Sequence, residues 1–173
     1  MPKNEQSKKQ VKEHVKEHTG LFWLWISLLI FALDRLSEYW VLGHFEYRDP
    51  YVVFPFFNIT LSFNTGAAFS FLEGASGWQN LFLSSIAVIV SLILIRWLMN
   101  ISYKERWLSI SLCFILGGAL ANLSDRILYG YVIDFLSVHW GTWYFAIFNI
   151  ADAAISIGAV MLLLQWLFYR EKE

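Results

Sequence analysis

The stretch Trp107–Arg126, WLSISLCFILGGALANLSDR, runs for 18 residues without a charge and then ends on Asp125-Arg126. A helix of that length is about 27 Å long at 1.5 Å per residue, close to the hydrocarbon thickness of a bilayer. Gly117, Gly118, Ala119 and Ala121 let a neighbouring helix approach closely. Asn122, Asp125 and Arg126 stand at offsets i, i+3 and i+4, which puts all three on one helical face. The stretch therefore reads as a membrane-spanning helix that carries polar groups at one end.

Three more runs have the same character. Spans are predicted over about 21–43, 80–99, 107–124 and 146–169. The nine Trp residues fall near the ends of these runs, as an interfacial belt does. The composition agrees. Apolar residues make up 57% of the 173, aromatic residues 18% and charged residues only 16%. A soluble chain of this size has no means of burying so much apolar surface. The same figures disfavour disorder. A net charge of −1 gives no basic face for nucleic acid. The one cysteine, Cys113, lies mid-span, reads as core and permits no intrachain disulfide.

Four spans put both termini and the 100–106 loop on one side. That side holds ten of the 13 Lys and Arg residues; only Arg35, Arg48 and Arg126 lie towards the other. The positive-inside rule makes the first side cytoplasmic. The expected layout is then a polar tail over 1–20, a membrane domain over 21–169 and a cytoplasmic end at 170–173. The first span is too long for a signal-peptide core and has no A-x-A site behind it. In the tail, His14 and His18 have metal-ligand spacing but read as part of a solvated charged segment.

Two outer segments, about 44–79 and 125–145, separate the spans. In the first, Ile59, Leu61 and Phe63 alternate with Asn58, Thr60, Ser62 and Asn64, the period-two pattern of a strand. Pro50 and Pro55 are expected to keep that strand off a central position. The predicted fold is an all-α polytopic membrane protein with four transmembrane helices, a small β-rich outer segment and a surface-lying loop or helix.

Acids inside a span are costly and are functional candidates by default. Asp34 lies 13 residues into the first span, about 20 Å from its cytoplasmic end. Asp125 is about 27 Å up the third span, and Asp152 about 9 Å below the outer end of the fourth. With Asp134 in the second outer segment, four Asp residues reach one shallow layer. Asn149 precedes Asp152 at i, i+3, and Asn64 precedes Gly66 in a turn-prone setting. Two carboxylates held together share a proton, so one can activate water while the other donates to a carbonyl oxygen. A Ser–Lys pair at this level is excluded because every Lys falls on the cytoplasmic side, and G-x-S-x-G and H-E-x-x-H are absent. His44 and His139 read as surface histidines beside aromatic residues. A proton or ion transporter would instead need acids at differing depths. A non-catalytic assembly subunit would give no reason for a shared carboxylate layer. Spacing alone does not say which two Asp residues act.

The blocks D-x-x-S at 34–37, N-T-G-A-A-F-S at 64–70, G-G-A-L-A-N-L-S-D-R at 117–126, V-I-D-F at 132–135 and F-N-I-A-D-A-A-I at 148–155 occur in this order. In that order and on four spans they resemble lipoprotein signal peptidase, bacterial signal peptidase II. The resemblance implies an aspartic endopeptidase of the bacterial inner membrane with its site near the outer face. It implies a cut before a Cys that carries a diacylglyceryl group, in a prolipoprotein whose signal helix lies in the bilayer. It also implies a catalytic pair at Asp134 and Asp152, with Asn64, Gly66, Asn122, Asp125, Arg126, Asn149 and Asp34 binding substrate or supporting the site. Partners are then the prolipoprotein and membrane lipid, with no metal, organic cofactor or nucleic acid, and the four spans suffice as a monomer. Three positions depart from the family pattern. Glu38 stands where a Lys is usual in D-x-x-S-K, with Arg35 and Arg126 as candidate replacement cations. Ala121 and Ala146 stand where Gly and Pro are common.

Overall fold

The computed structural model describes residues 19–66 and 78–169. His14, His18 and the latter part of the N-T-G-A-A-F-S block lie outside the described residues. A 3-10 turn, Gly20–Trp23, leads into α1, Leu24–His44. Strands β1, Tyr51–Phe54, and β2, Phe57–Asn64, follow. Helices α2, Trp78–Asn100, and α3, Arg106–Leu128, come next. Strands β3, Val132–Trp140, and β4, Trp143–Tyr144, precede the last helix, α4, Ile150–Tyr169. All four long helices are apolar enough to cross a membrane.

α3 is the central helix, because it packs on α1, α2 and α4. Its glycines make this possible. A Cβ on Gly117 would sit 2.8 Å from the carbonyl oxygen of Ser27 in α1, and one on Gly118 would collide with the carbonyl oxygen of Ala151 in α4. The two glycines face different neighbours, so α3 is wedged between them. Ile26, Ile30, Leu94, Leu98, Leu112, Cys113, Leu116 and Ala154 form the core of the bundle. Ser27 bridges two helices by donating to the carbonyl of Cys113 at 2.9 Å. The outward faces stay apolar, with Leu81, Phe82, Ile89, Leu92 and Ile93 of α2 all exposed. Eight of the nine Trp residues are exposed, and Trp23 instead donates to the carbonyl of Tyr103.

α3 runs four residues beyond the charge-free stretch, so Asp125 and Arg126 stand in its last turns. Gly130, at φ 83°, terminates it in the left-handed region. The fourth helix begins at Ile150 rather than near 146, because residues before it pair with β3 through a Leu136–Phe148 bridge.

The strands form one antiparallel sheet in the order β1-β2-β3-β4. The predicted strand is therefore internal, which corrects the expectation drawn from Pro50 and Pro55. Both prolines fall outside β2, so they remove none of its ladder bonds. Part of its polar face is buried, at Asn58 and Thr60, while Ser62 and Asn64 are half-buried. Between Ile59 and Ser62 the register slips, with Ile59 opposite Leu136 and Ser62 opposite Asp134. That bulge in β2 lies beside Asp134 and re-aims the side chains that follow it. Val41, Leu61, Ile133 and Phe135 pack the sheet onto the end of the helices.

Candidate active site

Asp134 and Asp152 come from unlike elements, an inner strand and the first turn of a helix. Each is fixed by an asparagine. Asn64, at the end of β2, donates from Nδ2 to Asp134 Oδ2 at 2.9 Å. Its own Oδ1 accepts the N–H of Gly66 at 3.1 Å, a turn that orients the amide. Asn122 of α3 donates from Nδ2 to Asp152 Oδ1 at 2.8 Å. Asn149 ties these pieces together. Its Nδ2 donates to Asn122 Oδ1 at 2.9 Å and to the carbonyl of Ile133 at 3.3 Å. Its Oδ1 accepts the N–H of Asp152 at 2.8 Å, as the cap of α4.

Asn64, Gly66, Asn122, Arg126, Asp134 and Asp152 line one cavity of about 1250 Å³. Asp134 is 2% exposed, and its Oδ1 has no partner among the described residues. Burial, and then the Asp152 carboxylate, push the Asp134 pKa up to about 8, against the Asn64 hydrogen bond and the Arg126 charge. Arg126 adds positive charge to the cavity wall while donating from Nη1 to the carbonyl of Asn122 at 3.2 Å. Apolar side chains, including Phe63, Val132, Phe145, Ile147 and Phe148, complete much of the lining.

The other three predicted residues stand behind this wall. Asn149 is fully buried and acts through its hydrogen bonds. Asp34 and Asp125 are also fully buried, and both accept from Arg35. Of the two candidate cations, Arg35 is the one beside Glu38, at 2.7 Å. Arg48 and Trp143 line the cavity without having been singled out. Arg48 had one signal, being one of three basic residues towards the outer side. His44 stacks on Trp40 and His139 on Tyr144, and neither lines the cavity. Among the described residues no group of three or more His, Cys, Asp or Glu is arranged to hold a metal ion.

Comparison with known proteins bears on this geometry. The family described as Signal peptidase (SPase) II matches residues 26–168. A lipoprotein signal peptidase of Pseudomonas fluorescens (strain Pf0-1) is 51% identical over 147 residues, covering 84% of this chain and 86% of that protein. One from Pseudomonas aeruginosa (strain UCBPP-PA14) is 49% identical over 153 residues, covering 87% and 89%. A lipoprotein signal peptidase of Alteromonas mediterranea is 48% identical over 147 residues, covering 85% and 81%. A bacterial membrane enzyme solved by the in meso method at 2.3 Å superposes with a TM-score of 0.77 at 28% identity, over 86% of this chain and 88% of that one. With four apolar helices, the protein is a multi-pass bacterial membrane protein. Matched over nearly all of its described length, the chain belongs to the signal peptidase II family of peptidases.

Proposed function

We propose that this chain is an intramembrane aspartic endopeptidase that removes the signal peptide of diacylglyceryl-modified prolipoproteins, cutting before the lipidated Cys. The observation that carries the reading is the pairing of Asp134 and Asp152 on one cavity wall, each held by an asparagine amide.

In this reading Asp134 holds the shared proton, and Asp152 takes one from the attacking water. The water oxygen bonds to the scissile carbonyl carbon while Asp134 protonates the carbonyl oxygen, giving a gem-diol. Collapse breaks the C–N bond. Asp152 delivers its proton to the leaving nitrogen, and one gem-diol hydroxyl returns a proton to Asp134. The pair is restored without any other group. Arg126 and the Asn64 and Asn122 amides stabilise the charge that moves between the carboxylates.

The substrate class suits this arrangement. The site is at the end of the bundle where the sheet packs, and the apolar part of the cavity wall accommodates an acyl chain. The asymmetry of Lys and Arg supports termini in the cytoplasm and a site at the outer face of the inner membrane. The test is to incubate purified protein with a prolipoprotein carrying the diacylglyceryl group and with the same precursor unmodified. Mass spectrometry is expected to find a new N-terminus at the lipidated Cys in the first sample only. Equal cleavage of the unmodified precursor, or a cut elsewhere, overturns the substrate assignment.

A further inference from the structure

Behind the cavity wall, Arg35, its side chain 20% exposed, occupies the centre of an ionic group whose three acids are buried. Its Nη2 donates to Asp34 Oδ2 at 2.9 Å and to Glu38 Oε1 at 2.7 Å. Its Nη1 donates to Asp125 Oδ1. The opposite oxygen of each Asp holds a backbone N–H. Asp34 Oδ1 accepts from Ala151 at 2.9 Å, and Asp125 Oδ2 accepts from Ile133 at 2.9 Å. Ala151 immediately precedes Asp152, and Ile133 immediately precedes Asp134.

We propose that Arg35 is a positioning residue whose forked guanidinium, gripping Asp34 on one arm and Asp125 on the other, sets the separation of the Asp134 and Asp152 carboxylates. The proposal rests on the reading of those two residues as the catalytic pair. They arise from β3 and α4, so neither element alone fixes the distance between them. Asn149 and the Leu136–Phe148 bridge join the two elements directly. Arg35 adds a second tie through α1, ending one residue short of each acid. A guanidinium suits this task because its donors are coplanar and rigidly spaced, whereas an ammonium is a point charge on a flexible stem. Arg126 cannot substitute, since it faces the cavity and bonds within its own helix. Glu38 joins the guanidinium from the next turn of α1. A cation one residue after Asp34 thus lies where it can span both acids.

The test uses the full chain in detergent, with a diacylglyceryl-modified prolipoprotein as substrate. Wild type, Arg35→Lys, Arg35→Gln and Asp125→Asn are compared, with Asp152→Asn as reference. For each, kcat and KM are measured across pH, and the folded fraction is read by thermal melting. Arg35→Lys keeps the charge and removes the fork. Since a misplacement of about 1 Å costs on the order of 100-fold, kcat is expected to fall at least about 30-fold while KM changes by less than about 3-fold. The basic limb of the pH profile is expected to move towards acid, because separated carboxylates repel each other less. The groups facing Asp134 are Asp152, Arg126, Asp125 and the Asn64 amide, and Arg35→Lys replaces none of them, so a limb shift reports their displacement. Arg35→Gln is expected to lose more. If the Arg35 variants do not fold, Asp125→Asn, which keeps an acceptor for Ile133 and breaks one arm of the fork, is expected to show the same fall in kcat with KM little changed; its pH profile is not compared, because Asp125 itself faces Asp134. Wild-type kcat and pH profile in Arg35→Lys overturn the proposal. So does a loss that matches the unfolded fraction with the limbs unmoved. An active Asp152→Asn overturns the catalytic pair itself. An inactive Asp152→Asn beside an unaltered Arg35→Lys overturns only the role of Arg35.

Discussion

Asp34 in α1 accepts the backbone N–H of Ala151 in α4 at 2.9 Å, across 117 residues of chain. The first N–H groups of a helix have no partner within it, so the first span caps the fourth just beside Asp152. Asp34→Ala removes that acceptor and takes one carboxylate from Arg35. A loss of roughly 3 kcal/mol is expected, as for other broken buried pairs. A lowered melting temperature in detergent checks it, and an unchanged one contradicts it.

Asn64 donates to Asp134 at 2.9 Å and opposes the rise of its pKa. Asn64→Ala is expected to lower kcat by on the order of 100-fold, the range of a mispositioned acid. The basic limb of the pH profile should move upward, because the bond that favours the carboxylate is gone. A limb that moves downward shows that Asn64 acts on something else.

The pH dependence follows from Asp134. Its pKa stands at about 8 in the folded protein, above an unfolded value of about 4. A group raised on folding contributes stability that is complete below the unfolded value and disappears as pH rises through the folded one. Melting temperature is therefore expected to fall between about pH 4 and 8, and less steeply in Asp134→Asn. Cleavage is expected to decline through the same upper limit, at about 8. Parallel melting curves for the two proteins contradict this account.

Gly118 fits closely against Ala151. Gly118→Ala pushes α3 from α4 at the residue that precedes Asp152, and overpacking of this kind costs about 1–3 kcal/mol. Melting and cleavage are expected to fall together. A variant as stable and active as the wild type shows that the two helices separate freely.

The spans were legible because charge is scarce, so its absence over 18 residues in α3 is informative. β2 was legible from its alternation, but its central place in the sheet was not. The prolines that argued against it belong to its flanks. β3 was not legible as a strand, since Val132, Ile133, Asp134 and Phe135 are all buried and no face stands out. The depth arithmetic grouped the four Asp residues but did not separate them into two at the cavity and two behind it. That division depends on Asp34 reaching α4 and Asp125 reaching Ile133, contacts that no local spacing encodes. Arg35 rather than Arg126 as the companion of Glu38 is likewise a matter of packing. The choice of Asp134 and Asp152 as the pair came from the resemblance, and the cavity gives it a physical setting.

The central claim is that these two carboxylates perform the cleavage. The most direct measurement compares wild type, Asp134→Asn and Asp152→Asn in a gel-shift assay on diacylglyceryl-modified prolipoprotein, at matched membrane insertion and folding. The account predicts complete processing by the wild type and none by either variant. Full processing by Asp152→Asn or by Asp134→Asn would contradict it.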